Sequence, residues 1–497
     1  MKSVKMAMMA VSVFVLGRVA ATLPGAQAQQ PAAAQEARQA PEAARLAQFT
    51  PKDLGTFPNA EHQSPYPVHN ASKVRFRNWL IDPDFPAGAT AQTYLCDFTG
   101  DGKLDYMVGG AGGRFIFTRK DDGTWARYQF RADRGPTDVG AVALDLTGDG
   151  LCDVITGTQW LRNPGFADSD FRWPNPQDKE KGWQWEAFSI AEGLPGPHDQ
   201  ILADLTGDGR MEMLYYQDSA NGGLRWFQIP EDPTKEWVGR IIATPTTHTG
   251  LAPSGAGDID GDGRVDVAIG YMWFQNLPRP GDAGPIQWIG HSLPAIHSLP
   301  VGRLEGSPGW AGYVHGTQTW VADINRDGRN DIVVADAEHV GGRIVWLENL
   351  GTERGSVRWN RHVIAGGLLN RDAGGRWQYY GRALGGIHGM CVGDFTGDDR
   401  PDVVTIEQDW DRARRAAPHD RPQGFLWENL ATGFDGSVVF AEHMISDVNL
   451  GAGHEMVCAD LTGDGRMDVI GKPWSAGKNN ALGGKTFVLF LENLTTR

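Results

Sequence analysis

At 497 residues, with 41% apolar and 10% aromatic side chains, the chain can bury a sizeable core, which excludes wholesale disorder. Its formal charge of −15 argues against nucleic acid as a partner, since phosphate binding needs clustered Lys and Arg, and favours cations instead. The 65 Gly, 29 Pro and 18 Trp predict many tight turns between short, aromatic-packed strands rather than long helices.

Lys2 and Lys5 precede an apolar run from Met6 to Gly17, and Ala26-Gln27-Ala28 has the form of a cleavage site. The run is far shorter than the roughly 20 residues needed to span a bilayer. Residues 1–28 therefore read as a signal peptide, and the expectation is a secreted or periplasmic protein with no membrane span. Residues 29–70, rich in Ala, Gln and Pro, read as a tether, and removal of 29–60 is expected to be silent. The four cysteines, Cys96, Cys152, Cys391 and Cys458, show no metal-type spacing, and three lie within apolar runs. Export would permit oxidation, but the spacing favours free, buried thiols acting as small hydrophobes.

From residue 71 to 497 a nine-residue pattern organises the chain: Asp at positions one and five, an acid at nine. It recurs seven times, from Asp97, Asp145, Asp204, Asp258, Asp323, Asp394 and Asp460, at spacings of 48 to 71 residues, which means stacked supersecondary units. Apolar residues precede each loop and β-rich residues follow it. Next comes a strand ending near Asn (WFQNL at Trp273, IVWLENL at Ile344, FLWENL at Phe425), then an alternating run such as WNRHVIAG at Trp359. Four short strands per unit, seven times over, predict an all-β, seven-bladed β-propeller. The last unit stops after its third strand, and the missing fourth has its counterpart in VRFRNWLID from Val74. The N-terminal strand is therefore expected to close the ring, which a solenoid or tandem sandwiches would not explain.

Side-chain oxygens at positions one, three, five and nine, with the carbonyl at seven, can surround a hard cation of calcium's size. In the first loop these are Asp97, Thr99, Asp101, Asp105 and the Lys103 carbonyl, with Gly102 supplying a left-handed turn. The corresponding side chains are Asp145, Thr147, Asp149 and Asp153, then Asp204, Thr206, Asp208 and Glu212, then Asp258, Asp260, Asp262 and Asp266. The last three loops offer Asp323, Asn325, Asp327 and Asp331, then Asp394, Thr396, Asp398 and Asp402, then Asp460, Thr462, Asp464 and Asp468. A plain Asx-rich hairpin is the alternative, but so many crowded carboxylates would repel one another without metal. Up to seven structural Ca²⁺ ions are expected. There is no Glu at position twelve and no flanking helix, so these are not EF-hands. In the sixth loop Asp399 stands where the others have Gly, and Asp tolerates that backbone.

The tandem DxTGDGxxD loops resemble the FG-GAP/VCBS repeat family of seven-bladed propellers, over about residues 72–497. A narrower likeness, to the propeller domain of aldos-2-ulose dehydratases, rests on a His ahead of the loop and a W.EN … W..H.I pattern after it. Those enzymes also carry cupin domains, so a step attributed to the cupins does not transfer.

In a propeller, the loops leading into the innermost strands meet around the axis, on the face opposite the acidic turns. His198, His388 and His454 each lie six residues ahead of a loop Asp, where other blades have Ala91, Val139, Ala252 and Thr317. A structural role would recur in every blade, so the asymmetry points to a site. Glu407 and Asp409 are the candidates for acid–base work, and Lys472 for holding a carboxylate or polarising a carbonyl. Further candidates on the same face are His315, Asp336, Glu338, His339, Gln217, Asp218 and Trp474. The histidines could instead hold Zn²⁺ or Mg²⁺. Two functions follow: a carbohydrate lyase or dehydratase working by β-elimination on a sugar or polysaccharide, or a non-catalytic propeller binding glycans or proteins.

Overall fold

Each acidic loop is the hairpin between the first and second strands of an antiparallel sheet. Residues 46–57, 73–86, 88, 92–135, 139–165, 184–217, 222–244, 249–278, 285–294, 316, 318–335, 343–366, 368–371, 377–380, 384–408, 421–432 and 438–496 are described by the computed structural model. The described residues contain strands and turns only, and no helix among them is long and apolar enough to cross a membrane.

Seven sheets form the blades of a propeller. Blade one holds Thr93–Cys96, Asp105–Gly110, Gly113–Arg119 and Trp125–Arg131, and blade two Val142–Leu144, Asp153–Thr156, Gln159–Arg162 and Glu186–Ser189. Blade three holds Asp199–Ala203, Glu212–Gln217, Gly223–Gln228 and Val238–Ala243, and blade four Ala256–Gly257, Asp266–Ile269, Met272–Asn276 and Trp288–Ser292. Blade five holds Gln318–Ala322, Asp331–Ala335, Ile344–Glu353 and Ser356–Ala365; blade six Met390–Gly393, Asp402–Ile406, Gly424–Thr432 and Val438–Ser446. Blade seven joins His454–Ala459, Asp468–Lys472 and Val488–Asn493 to Phe76–Asp82, so the first and last parts of the chain share one sheet.

Burial follows position in the blade. Asp402–Ile406, a second strand, is buried at every residue because neighbouring blades cover both faces, so its sequence is a continuous apolar run. Ser356–Ala365, an outermost strand, alternates between exposed and part-buried residues. Apolar clusters fill the spaces between consecutive blades, among them Phe98, Ile116 and Trp185 between blades one and two. Ile81, Tyr106 and Phe490 pack blade seven against blade one. Trp125, Trp160, Trp273, Trp346 and Trp427 are all buried in such interfaces; truncating one to Ala would cost about 3–5 kcal/mol.

Two sequence expectations need correction. The segment read as a tether contains two strands: Leu46–Phe49 pairs with the outer strand of blade one, and Lys52–Phe57 with the outer strand of blade seven. Deleting residues 29–60 would therefore uncover two sheet edges. The cysteines are not free thiols. Cys96 is bonded to Cys152 and Cys391 to Cys458, with Cα separations of 6.2 and 6.3 Å. Each bridge joins adjacent blades, one to two and six to seven. Disulfides persist in oxidising compartments, which fits an extracellular protein. The signal-peptide segment, residues 1–28, lies outside the described residues.

Candidate functional site

The acidic loops share one bonding scheme. In the first, Asp97 Oδ1 accepts the Gly100 and Asp101 N–H groups at 2.7 and 3.2 Å, and its Oδ2 accepts Gly102 N–H at 2.7 Å. Asp101 Oδ1 takes the Lys103 N–H at 2.9 Å, and Asp105 Oδ2 those of Phe98 and Thr99 at 2.9 and 3.1 Å. The last loop repeats this with Asp460, Asp464 and Asp468. Asp399 takes the left-handed backbone expected of it, with φ 64°.

The ninth-position acids also tie blades together. Asp468 Oδ1 accepts the N–H of Asn493 at 2.8 Å, and the Asn493 side-chain amide donates at 2.9 Å to the carbonyl of Phe395 in the preceding blade. Asn163, Asn276, Asn349 and Asn429 make the same bond to Phe98, Leu205, Ile259 and Ile324. These are the Asn residues that end the third-strand pattern in the sequence. Blades one and three carry Arg119 and Ile229 at that position.

Burial, the largest cause, pushes the ninth-position acids up, to about 7 for Asp105, Asp266, Asp331, Asp402 and Asp468 and about 6 for Asp153. Neighbouring loop carboxylates add to the rise, and backbone N–H donors oppose it. The residues fit a hard cation. The buried hydroxyls of Thr99 and Thr147 have no hydrogen-bond partner. Asp258, Asp260 and Asp262 bring oxygens within 4.8 Å of one another. Calcium takes such sets of oxygens.

At the other end of the innermost strands, His198, His388 and His454 come together from blades three, six and seven. The His388 and His454 rings stack at 4.3 Å between centroids, with His198 5.8 Å from His388. Gly453 makes this possible: the chain runs so close to the Ile406 carbonyl that a Cβ would collide with it. All three histidines are buried. His198 Nδ1 lies 2.8 Å from Asp199 Oδ1, and Asp199 Oδ2 accepts the Leu251 and Ala252 N–H groups at 2.7 and 3.2 Å. Burial acts to raise the Asp199 carboxyl, but His198 and these donors outweigh it and hold the group below its usual value.

Lys472 Nζ lies 3.0 Å from His454 Nδ1, and neither residue reaches solvent appreciably. Burial first, then the Arg134 charge, lowers Lys472 to about 7 against the opposing pull of Glu455. Burial, followed by the charge of Lys472, holds His454 well below 6.5, so its imidazole is neutral. Glu455 Oε1 sits 3.0 Å from His388 Nδ1 and accepts from Gln318 Nε2 at 3.3 Å. Its backbone is left-handed, φ 54°, a strained state for a side chain of this kind, and its carbonyl accepts from Thr93 Oγ1 at 2.6 Å. His388, His454 and Glu455 bring donor atoms within 4.8 Å, a set that suits Zn²⁺. Beside them runs a cavity of roughly 130 Å³ on the propeller axis, lined by Thr93, Asp199, Gln200, Leu202, Glu455 and Met456 among others.

Glu407, expected to do acid–base work, is engaged elsewhere: its oxygens accept the N–H groups of Gly385 at 2.5 Å and Gln423 at 2.9 Å. Gln217 donates to the Gly196 carbonyl. Trp474 lies 5.0 Å from the His454 ring. Asp409, Asp218, His315, Asp336, Glu338 and His339 lie outside the described residues. Sequence reasoning missed Glu455, Asp199 and Arg134. The first two adjoin predicted histidines in the chain, which was the available signal.

Residues 204–269, spanning the third and fourth loops, match the FG-GAP-like repeat family. Among solved structures, the chain is similar to an Agrocybe aegerita lectin described as specifically recognising non-reducing terminal N-acetylglucosamine. That likeness has 17% identity over 84% of this chain and 87% of that one, with a TM-score of 0.43. It is also similar to the V. cholerae biofilm matrix protein Bap1, at 13% identity over 81% of this chain and 69% of that one, with a TM-score of 0.24. At these identities neither likeness assigns a ligand.

Proposed function

We propose that this propeller of FG-GAP-like repeats, exported and held together by calcium in its acidic loops, acts on carbohydrates by β-elimination at the axial cluster. One observation carries the reading: Lys472, three histidines and Asp199 are buried together, with the part-buried Glu455 among them, beside a cavity. Burying ionisable groups costs several kcal/mol unless they are well paired, and four of the seven blades do without the histidine. Such groups are kept where chemistry needs them.

In this reading Lys472 takes the proton from the carbon next to a keto or carboxyl group. The bond from the β-carbon to its oxygen breaks, and the electron pair released by the lost proton becomes the new double bond. His198, oriented by Asp199, gives a proton to the departing oxygen. His388, His454 and Glu455 would hold a Zn²⁺ or Mg²⁺ ion, which would polarise the carbonyl. Trp474 offers an apolar face for the sugar ring.

The test is a screen of keto-sugars and uronate polysaccharides for the ultraviolet absorbance of an unsaturated product. His388→Ala and His454→Ala should abolish turnover with little change in melting temperature. A wild-type protein that turns over no such substrate, yet binds a glycan that the double variant binds equally well, would be a binding propeller instead.

A further inference from the structure

The seventh residue of each acidic loop offers only its carbonyl to a cation, so its side chain is open to a second use. In chain order it is Lys103, Leu151, Arg210, Arg264, Arg329, Arg400 and Arg466. In three loops the guanidinium is held at both ends. Arg264 Nε donates to the carbonyl of Asn276 at 2.7 Å, and its Nη2 pairs with Asp262 Oδ2. Arg329 does the same with Asn349, at 2.8 Å, and Asp327; Arg466 does so with Asn493, at 2.7 Å, and Asp464. Each of these asparagines also ties its blade to the one before. The other four loops lack the arrangement. Lys103 turns away to Asp121, Leu151 has no charge, and the exposed Arg210 comes only within 3.8 Å of Asp208. Among the described residues, Arg400 reaches Asp398 through its backbone N–H alone.

We propose that Arg264, Arg329 and Arg466 are built-in counter-ions that divide the seven cation sites into two classes: three loops held in shape by the protein itself, in blades four, five and seven, and four shaped by the bound cation. This deepens the reading of the loops as calcium sites and rests on it. An empty loop crowds three or four carboxylates into nine residues, and their repulsion opposes the turn. A guanidinium fixed among them offsets one charge, and its planar fork can grip a carboxylate oxygen and a carbonyl at once. Such a pair is worth little where both partners move freely in solvent. Here the acids are only 26–29% exposed, against 44% for Asp208 beside Arg210. A carboxylate oxygen has two lone pairs, so the grip on Oδ2 leaves the aspartate able to ligate a cation. The hold also extends past the loop. Asn276, which receives Arg264 Nε, donates its N–H to the ninth-position Asp266 at 2.8 Å and its side-chain amide to Leu205 of the blade before.

The experiment is amide hydrogen exchange on the full chain, read loop by loop, in EGTA and in Ca²⁺. In EGTA, residues 258–266, 323–331 and 460–468 should exchange at least about tenfold more slowly than 97–105, 145–153, 204–212 and 394–402, the scale of one charge-assisted hydrogen bond. Saturating Ca²⁺ should protect all seven and erase the difference. Arg264→Met should move residues 258–266 to the fast class in EGTA and leave them protected in Ca²⁺. Arg264→Lys, which keeps the charge but loses the fork, should fall between. Arg210→Met, in a loop without the arrangement, should change nothing. A slow class that includes other loops, or an Arg264→Met loop as slow as the wild type in EGTA, overturns the assignment. The two readings fail separately. Protection of all seven loops by Ca²⁺ with no division in EGTA would keep the calcium and remove the counter-ions. A division in EGTA that Ca²⁺ leaves untouched would do the reverse.

Discussion

The two ends of the innermost strands are built on opposite plans. At one end, the acidic loops repeat the same residues, and most of their hydrogen bonds stay within nine residues of chain. Such a loop tolerates change: Glu212 replaces Asp, Asn325 replaces Thr, and Asp399 replaces Gly. At the other end, the histidines occur in only three blades, and Glu455 beside them takes its partners from further blades, Gln318 from blade five and Thr93 from blade one. Repetition with local bonding marks residues that maintain the fold. Singular residues bonded across blades, one with strained backbone, mark residues retained for another purpose.

The largest effect expected is on the loop end. Chelating divalent cations should lower the melting temperature more than any substitution, since one site filled at 100 times its Kd contributes about 2.7 kcal/mol. Added Ca²⁺ should reverse the loss, and unchanged melting in chelator would make the loops ordinary turns. The chelated protein should also respond to pH. Burial raises five of its ninth-position acids from the ordinary 3.8 to about 7, so between these values the folded chain holds protons that the unfolded chain has released. Stability should therefore fall as pH rises through about 7 without cation, and change little with calcium bound. Melts near pH 6 and pH 8, with and without chelator, check the sign.

Next in size is the edge cover. A truncation through Phe57 uncovers the outer strands of blades one and seven, and the protein should aggregate as exposed edges pair. A truncation that stops short of Leu46 is the control.

Asn349→Ala should cost about 3 kcal/mol in denaturant unfolding, because its side chain serves the Ile259 and Asn330 carbonyls and the Gly351 N–H. Arg119→Ala, at the matching position of blade one, should cost under about 0.5 kcal/mol.

At the axial end the sign reverses. Lys472→Met should lower turnover by about 10²–10⁴-fold while leaving the melting temperature equal or higher, because a buried ammonium is removed. A large fall in melting temperature would make Lys472 a structural residue and weaken the contrast between the two ends. The smallest effect is expected from Glu407→Gln, about 1 kcal/mol, through one backbone acceptor weakened.

The loops were legible because their chemistry is contiguous: nine residues state the turn, the glycines and the acids together. The blades were legible because burial on both faces writes a continuous apolar second strand. His198, His388 and His454 could be singled out because a repeat exposes its own exceptions. Glu455 could not, since a Glu after a His says nothing until the fold carries it beside His388. The cysteines misled for a related reason. Their separations of 56 and 67 residues are about one blade, and only the stacking of neighbouring blades turns that distance into contact. Arg134 was hidden likewise, because the Trp474 ring it lies over belongs to the far end of the chain.

The asparagine bonds between blades give the ring a grain. Blade two is tied to one, and blades four to seven each to the one before, whereas blades one and three carry Arg119 and Ile229 and show no such asparagine tie among the described residues. The circle is thus two arcs, a short one of blades one and two and a long one of blades three to seven, and each disulfide lies inside an arc rather than across a seam. His198, His388, His454, Glu455 and Lys472 all belong to the long arc, while Thr93 and Arg134 come from the short one. Both seams are closed by other side chains: Arg127 pairs with Asp82 and Thr93 Oγ1 donates to the Glu455 carbonyl between blades one and seven, and Gln200 Nε2 donates to the Gly157 carbonyl between blades three and two.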